Sequence, residues 1–162
     1  MKMKCILMIA VVALIGTSTY AQVLDFQSLE HTDSNVDSHG IQYFEDGFRI
    51  YTPDGGLYTF GTLFPSYAGS TAMFNGAGAG ITQLTKVGGG TFDPLSIDLA
   101  QYNGSNPTNV TFIRDGGHSQ TFFFSEILVA ETFFFDSGFQ GASIVSWTQG
   151  GQNPHQFDNI VV

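Results

Sequence analysis

Beyond residue 22, apolar side chains in this chain recur every second residue, and no stretch sustains a 3.6-residue apolar period with a cap and a stop. The alternating runs are short, rich in Phe, Tyr, Ile, Val and Thr, and broken by Gly, Asn, Asp and Pro. They include "VLDFQSL", "GFRIYT", "LYTFGTLF", "GITQLTKV", "NVTFIR", "QTFFFSEILV", "ETFFF", "ASIVSWTQ" and the closing "HQFDNIVV". Phe48 and Ile50 face one way, and Arg49 and Tyr51 the other; Leu95, Ile97 and Leu99 oppose Ser96, Asp98 and Ala100. One apolar and one polar face per strand means sheets with a wet side. Roughly nine to eleven such strands predict an all-β fold of two antiparallel sheets packed face to face, a β-sandwich of the jelly-roll kind. A closed β-barrel is the alternative. No Pro- or Ser-rich linker divides the chain and no internal repeat of domain-repeat length is present, so one domain is expected over 22–162.

The first 21 residues read as a secretory signal peptide. Lys2 and Lys4 precede the apolar run "CILMIAVVALIG", and Thr19 and Ala21 supply small residues before a cleavage site. The run is too short for a helix to cross a hydrocarbon core of about 30 Å. Its removal takes away Cys5, the one cysteine. Disulfides and thiolate chemistry are thereby excluded from the exported chain.

The exported part carries Arg49, Lys86 and Arg114 against 14 acids, a net charge of −11 with His neutral. Nucleic acid and anionic membrane are poor partners for such a chain, because both demand clustered cations. Excess carboxylate suits either solubility or a hard cation such as calcium. The glycine-rich loops "NGAGAG" and "VGGG" lack the Lys-Ser/Thr of a phosphate loop and read as turns.

Several residues are candidates for chemistry. In "DSNVDSHG", Asp33, Asn35 and Asp37 alternate as calcium-loop oxygens do, although Ser38 and Phe44 stand where the helix-flanked version needs Gly and Glu. A polar loop is the other reading. The four histidines show no ligand or triad spacing. Glu126 and Glu131 adjoin aromatic strands and would be the carboxylates of a glycan-active enzyme, which needs two facing each other across about 5 to 10 Å. Exposed aromatic side chains can stack on sugar rings while Asn, Gln and Asp bind hydroxyls. Tyr43, Tyr51, Tyr58, Tyr67 and Tyr102 are the platform candidates, since a phenol tolerates water. Trp147 is either platform or core. In each "TFFF", alternation sends one Phe outward, Phe123 in the first copy and Phe134 in the second.

The closing "FDNIVV" poses a problem of register. Phe157 and Ile160 are three apart, so both can enter the core only if a bulge absorbs a residue at Asp158-Asn159. Asp158 would then turn toward a cation or toward the first strand. Alternatively it faces water from an edge strand.

"SIVSWTQGGQNPHQFDNIVV", "FDPLSIDLA", "YAGSTAMF", "LDFQSL" and "YFEDGFRIYT" together resemble the extracellular domain of bacterial proteins bearing a PEP-CTERM sorting tail. The resemblance implies a jelly roll similar to carbohydrate-binding modules. It further implies a structural calcium held by Asp158 with Asp25 or Glu30. The sorting tail itself is not in this sequence, which ends at Val162. The expected function is a secreted, non-catalytic module of the envelope or exopolysaccharide matrix that binds polysaccharide. The alternatives are a self-associating matrix protein without glycan recognition and a glycan-active enzyme.

Overall fold

A computed structural model describes residues 20–77, 80–102, 108–124, 128–149 and 155–162. Residues 1–19, which hold most of the expected signal peptide, Glu126 and part of the "NGAGAG" loop lie outside the described residues. Two antiparallel sheets form a sandwich, not a closed barrel. Among the described residues, sheet A has seven strands: β1 (Val23–Leu24), β2 (Val36–Ser38), β5 (Leu57–Phe60), β6 (Met73–Asn75), β8 (Ser96–Gln101), β11 (Glu131–Phe134) and β13 (His155–Val161). Sheet B has six: β3 (Gln42–Glu45), β4 (Phe48–Tyr51), β7 (Ile81–Lys86), β9 (Thr108–Arg114), β10 (Ser119–Phe124) and β12 (Ile144–Gln149).

In space, sheet A runs β11-β8-β13-β6-β5-β2, with β1 also against β13; sheet B runs β10-β9-β12-β7-β4-β3. The chain crosses between sheets after almost every strand or hairpin, so most neighbours are distant in sequence. Backbone bonds also join Gln22 and Val162 in both directions, at 2.8 and 2.9 Å.

Period-two alternation builds the core between the sheets. Phe48 and Ile50, Leu57, Leu84, Val110 and Phe112 point inward, and their neighbours in sequence point out. Trp147 is 2% exposed and lies against Phe112 and Phe157 at ring distances of 5.3 and 5.2 Å. Phe122 and Phe124 are buried while Phe123 is 70% exposed; in the second copy Phe134 is 71% exposed. His155 is buried between Phe124 and Phe157, and burial pushes its imidazole down to about 3, so it stays neutral.

Two local expectations are corrected. "VLDFQSL" is not one strand: Phe26 enters the left-handed region at φ 54, and a 3-10 turn covers Gln27–Leu29. This swing places Phe26 in the core against Tyr43 and Phe157. The polar loop "DSNVDSHG" contains strand β2, which pairs with β5.

The closing strand does bulge. Register slips between Asp158 and Val161, and Asn159 takes φ 46, a conformation that Asn tolerates better than most residues. Both Phe157 and Ile160 thereby reach the core. β13 is a central strand, between β8 and β6, so the edge-strand alternative for Asp158 fails.

Candidate ligand-binding face

The two outer faces of the sandwich differ, and the difference sorts the candidate residues. On sheet A, the segment 61–72 folds back over the outer face. Phe64 stacks on Phe60 at 4.4 Å, Phe60 stacks on Phe74 at 4.5 Å, and Tyr58 and Tyr102 close the cluster. Gln156 donates to the Ser66 carbonyl, and Ser70 Oγ donates to Asp158 Oδ2 at 2.5 Å. Tyr58 and Tyr102 are therefore walls of a second aromatic layer rather than open platforms.

Asp158 lies beneath this cover, 1% exposed. Burial pushes its carboxyl up to about 6 against the donors Ser70 and the Asn159 amide, and the charges of Asp98 and Asp25 add to the rise. Asn159 links the two acids, donating to Asp98 Oδ2 at 2.8 Å. Burial likewise raises the Tyr67 phenol, and Glu30 and Asp158 both act on it. Glu30 and Asp158 thus both lie near Tyr67, and Asp25 lies near Asp158. Among the described residues, however, no three Asp, Glu, His or Cys side chains converge closely enough to hold a metal ion.

The alternative calcium loop is internally bonded. Asp33 accepts from the Asn35 amide at 2.9 Å and from Asn35 Nδ2 at 2.8 Å, with His31 Nδ1 2.8 Å away. Those bonds hold the Asp33 carboxyl below its ordinary value. Asp37 lies in β2, 3.8 Å from His31 Nε2. The oxygens are strung along a turn and a strand, with no common centre.

Among the described residues, no segment folds back over the outer face of sheet B. Its outward row at mid-strand is Gln42, Tyr51, Gln83, Ser146, Ile113 and Ser119, one residue from each of β3, β4, β7, β12, β9 and β10. A parallel row holds Phe44, Arg49, Thr85 and Ile144. A third holds Ile81, Thr148, Thr111 and Thr121, the last two with hydroxyls 2.9 Å apart. Six strands at about 4.8 Å spacing make the face roughly 24 Å across. Short hydroxyl and amide side chains dominate it, with Phe44 (54% exposed) near one edge and Phe123 at the other.

Arg49 sits over the Tyr51 ring at 5.3 Å, and its Nε donates to Thr85 Oγ1 at 3.3 Å. Next to it, Phe44, Arg49, Lys86 and the turn Val87–Gly89 enclose a groove of about 360 Å³. Of the tyrosine candidates, only Tyr51 lies on this face. Tyr43 points inward, half-buried, with its hydroxyl 3.0 Å from Ser28 Oγ. Trp147 belongs to the core and is no platform, because its strand position faces sheet A. Sequence reasoning missed Phe44 and Arg49 as a pair. The signal available was the scarcity of cations, not their spacing.

Of the two carboxylates singled out for a glycan-active enzyme, Glu126 lies outside the described residues and Glu131 lies half-buried on edge strand β11. His118 Nε2, 2.8 Å from Asp136 Oδ1, ties the turn before β10 to the 3-10 turn Ser137–Phe139, where the Asp136 side chain accepts from the Gly138 amide.

No family model matches the chain, and no curated protein does. Solved structures do. A family 29 carbohydrate-binding module from Piromyces equi superposes with a TM-score of 0.50 at 10% identity, over 90% of each chain. A family 29 module variant complexed with cellulohexaose gives 0.47 at 13% identity, over 80% of this chain and 92% of that one. A family two carbohydrate esterase from Cellvibrio japonicus gives 0.38 at 9% identity, over 88% of this chain and 33% of that one. At these identities the likeness is one of fold.

Proposed function

We propose that the protein is an exported, non-catalytic carbohydrate-binding module that takes polysaccharide on the outer face of sheet B. The observation that carries this reading is the contrast between faces: sheet A is roofed by its own loop, while sheet B leaves a strip of Gln, Ser and Thr uncovered between Phe44 and Phe123. A flat hydroxyl- and amide-lined strip with aromatic ends suits a chain of sugar rings. Rings stack on the aromatic side chains, and their hydroxyls exchange water for side-chain partners. The fold shared with a carbohydrate-binding module supports the reading. A place in an envelope or exopolysaccharide matrix belongs to the same proposal, as does export through the N-terminal signal.

Calcium, if it takes part, is structural. Asp158 with Asp25, both hard oxygen donors, would hold it together with backbone carbonyls near the bulge, where it would relieve the burial of an ionised carboxylate. The oxygen-only donor set fits such an ion, although the side chains do not by themselves complete a site.

Retention of residues 22–162 on native gels cast with soluble polysaccharides, with calcium and with chelator, tests both parts. Retardation by particular polymers, lost in Phe44→Ala and Tyr51→Ala without unfolding, is expected. A folded protein retarded by none overturns the reading. Weaker retention in chelator would tie calcium to the site; identical retention and melting in both conditions would remove calcium.

A second reading, self-association without glycan recognition, is favoured by one feature. Phe123 and Phe134, each at least 70% exposed, lie on the two edge strands β10 and β11 at the same side of the sandwich. Sedimentation over a range of concentrations decides it: a monomer throughout excludes this reading.

A further inference from the structure

We propose that the open face of sheet B takes a mostly neutral polysaccharide bearing a sparse acidic sugar, whose carboxylate is read by Arg49 alone. This deepens the glycan reading and rests on it.

Strand register fixes which charges reach this face. Glu45 and Lys86 both pair with Phe48, and Arg114 pairs with Val145, so these three share the inward register of core residues. Arg49 pairs instead with Phe44 on one side and Thr85 on the other, both outward. Among the described residues, Arg49 is therefore the one charged side chain at an outward position on the six strands, in a chain with 14 acids. A face kept only for solubility has no reason to shed its carboxylates.

The guanidinium is held but not satisfied. It lies 5.3 Å over the Tyr51 ring, and Nε donates to Thr85 Oγ1 at 3.3 Å. Among the described residues, no carboxylate oxygen lies within 4.0 Å of it, and Nη1 and Nη2 donate to no protein group. With Nε occupied, the end of the fork remains, two parallel donors that match the two oxygens of one carboxylate. Tyr51 and Thr85 already restrict the side chain, so binding costs it little further freedom. Phe44, directly opposite, walls the adjoining groove and offers its exposed ring to the sugar that bears the acid.

One acid per bound stretch follows from what surrounds Arg49. The other outward positions supply hydroxyls, amides and apolar side chains, with no second cation among the described residues of a face roughly 24 Å across. A polymer with a carboxylate on every ring would bring several charges for one partner, toward an exported chain that is strongly acidic. Neutral rings on either side of the acid meet the Gln, Ser and Thr strip instead.

The test compares glucuronoxylan and xanthan, in which neutral sugars separate the acids, with the same polymers after reduction of their carboxyls to alcohols. Polygalacturonate, acidic at every ring, and neutral galactomannan complete the set. Retention gels are run at low salt and at about 0.15 M, where charges more than about 8 Å apart are screened. Retention is expected on at least one sparsely acidic polymer, about tenfold weaker on its reduced form, as for one charge-assisted hydrogen bond, and weak on polygalacturonate. Arg49→Gln should bring retention on the acidic polymer down to that on the reduced one and leave the latter unchanged. Damage to the face as a whole would lower both. Should Arg49→Gln fail to fold, Arg49→Lys, which keeps the charge without the fork, should shrink the acidic-to-reduced ratio. Equal retention on acidic and reduced forms, equal loss on both in the variant, strongest retention on polygalacturonate, or retention confined to galactomannan each overturns the inference and leaves the glycan reading standing. No retention on any polysaccharide overturns both.

Discussion

The outer face of sheet A and the outer face of sheet B are built from the same alternating pattern, yet one is sealed and the other open. Both carry aromatic side chains at outward positions: Tyr58, Phe60, Phe74 and Tyr102 on A, Tyr51, Phe44 and Phe123 on B. What separates them is the segment 61–72, which lays Phe64 onto Phe60 and hangs Ser66 and Ser70 over Gln156 and Asp158. An outward aromatic residue is thus a ligand platform or a floor for a loop according to what comes back to cover it. The cover is the β5–β6 connection itself, adjacent in sequence to Tyr58, Phe60 and Phe74 but distant from Tyr102, Gln156 and Asp158.

The contrast can be broken in graded steps. The largest effect is expected between the sheets and beneath the cover. Phe112→Ala and Phe60→Ala should each cost about 3 to 5 kcal/mol by loss of buried area and cavity formation, whereas Phe123→Ala on the open face should cost less than about 0.5 kcal/mol. Denaturant melts of the three variants measure this; a Phe60→Ala loss as small as that of Phe123→Ala would mean that the cover contributes no real core.

Next comes Asp158. Its carboxyl titrates near 6 in the folded protein against an ordinary value of 3.8. Between those values the folded state keeps a proton that the unfolded chain has released, so this group's contribution to stability falls as pH rises from about 4 to about 6 and is flat above. The span corresponds to roughly 3 kcal/mol. Buried His155 works oppositely, withdrawing stability as pH falls below its ordinary 6.5, so the wild-type profile alone mixes the two. The difference between wild type and Asp158→Asn isolates the acid. Without calcium, Asn should become relatively more stable as pH rises from 4 to 7; parallel melting profiles would contradict a buried, proton-holding Asp158.

Ser70→Ala should cost about 1 to 3 kcal/mol at neutral pH, since it strips a donor from a buried carboxylate. The loss should shrink toward pH 4, where the acid is protonated. Smallest in stability and largest in binding is Tyr51→Ala. It should leave melting within about 0.5 kcal/mol while weakening polysaccharide retention, which a comparison with Tyr102→Ala, on the sealed face, would sharpen.

Much of the architecture was legible in the sequence because period two is a local signal. It placed Phe122 and Phe124 inside with Phe123 outside, and set Phe134 outward in the second copy. The bulge at Asp158-Asn159 was legible for the same reason, as a break in that period between two residues that both needed the core. The candidate face was mostly illegible. Tyr58 and Tyr102 alternate as well as Tyr51 does, and nothing in their own strands says that residues 61–72 return to cover them. Trp147 resolved to core because β12 is flanked on both sides, by β7 and β9, and turns its odd residues inward. Arg49 and Thr85 are 36 positions apart, and only the β4–β7 pairing makes them neighbours.

The paired backbone of Gln22 and Val162 has a mechanical consequence. Because β1 and β13 are antiparallel, a pull that separates these two residues loads their hydrogen bonds one after another, as in a zipper, instead of all at once. Tension applied there peels β1 away first and uncovers Leu24 and Phe26 while both sheets otherwise stay paired. A single-molecule pulling trace through these two positions should therefore show an early, low-force extension before the main rupture. One rupture alone would mean that β1 and the sandwich yield together.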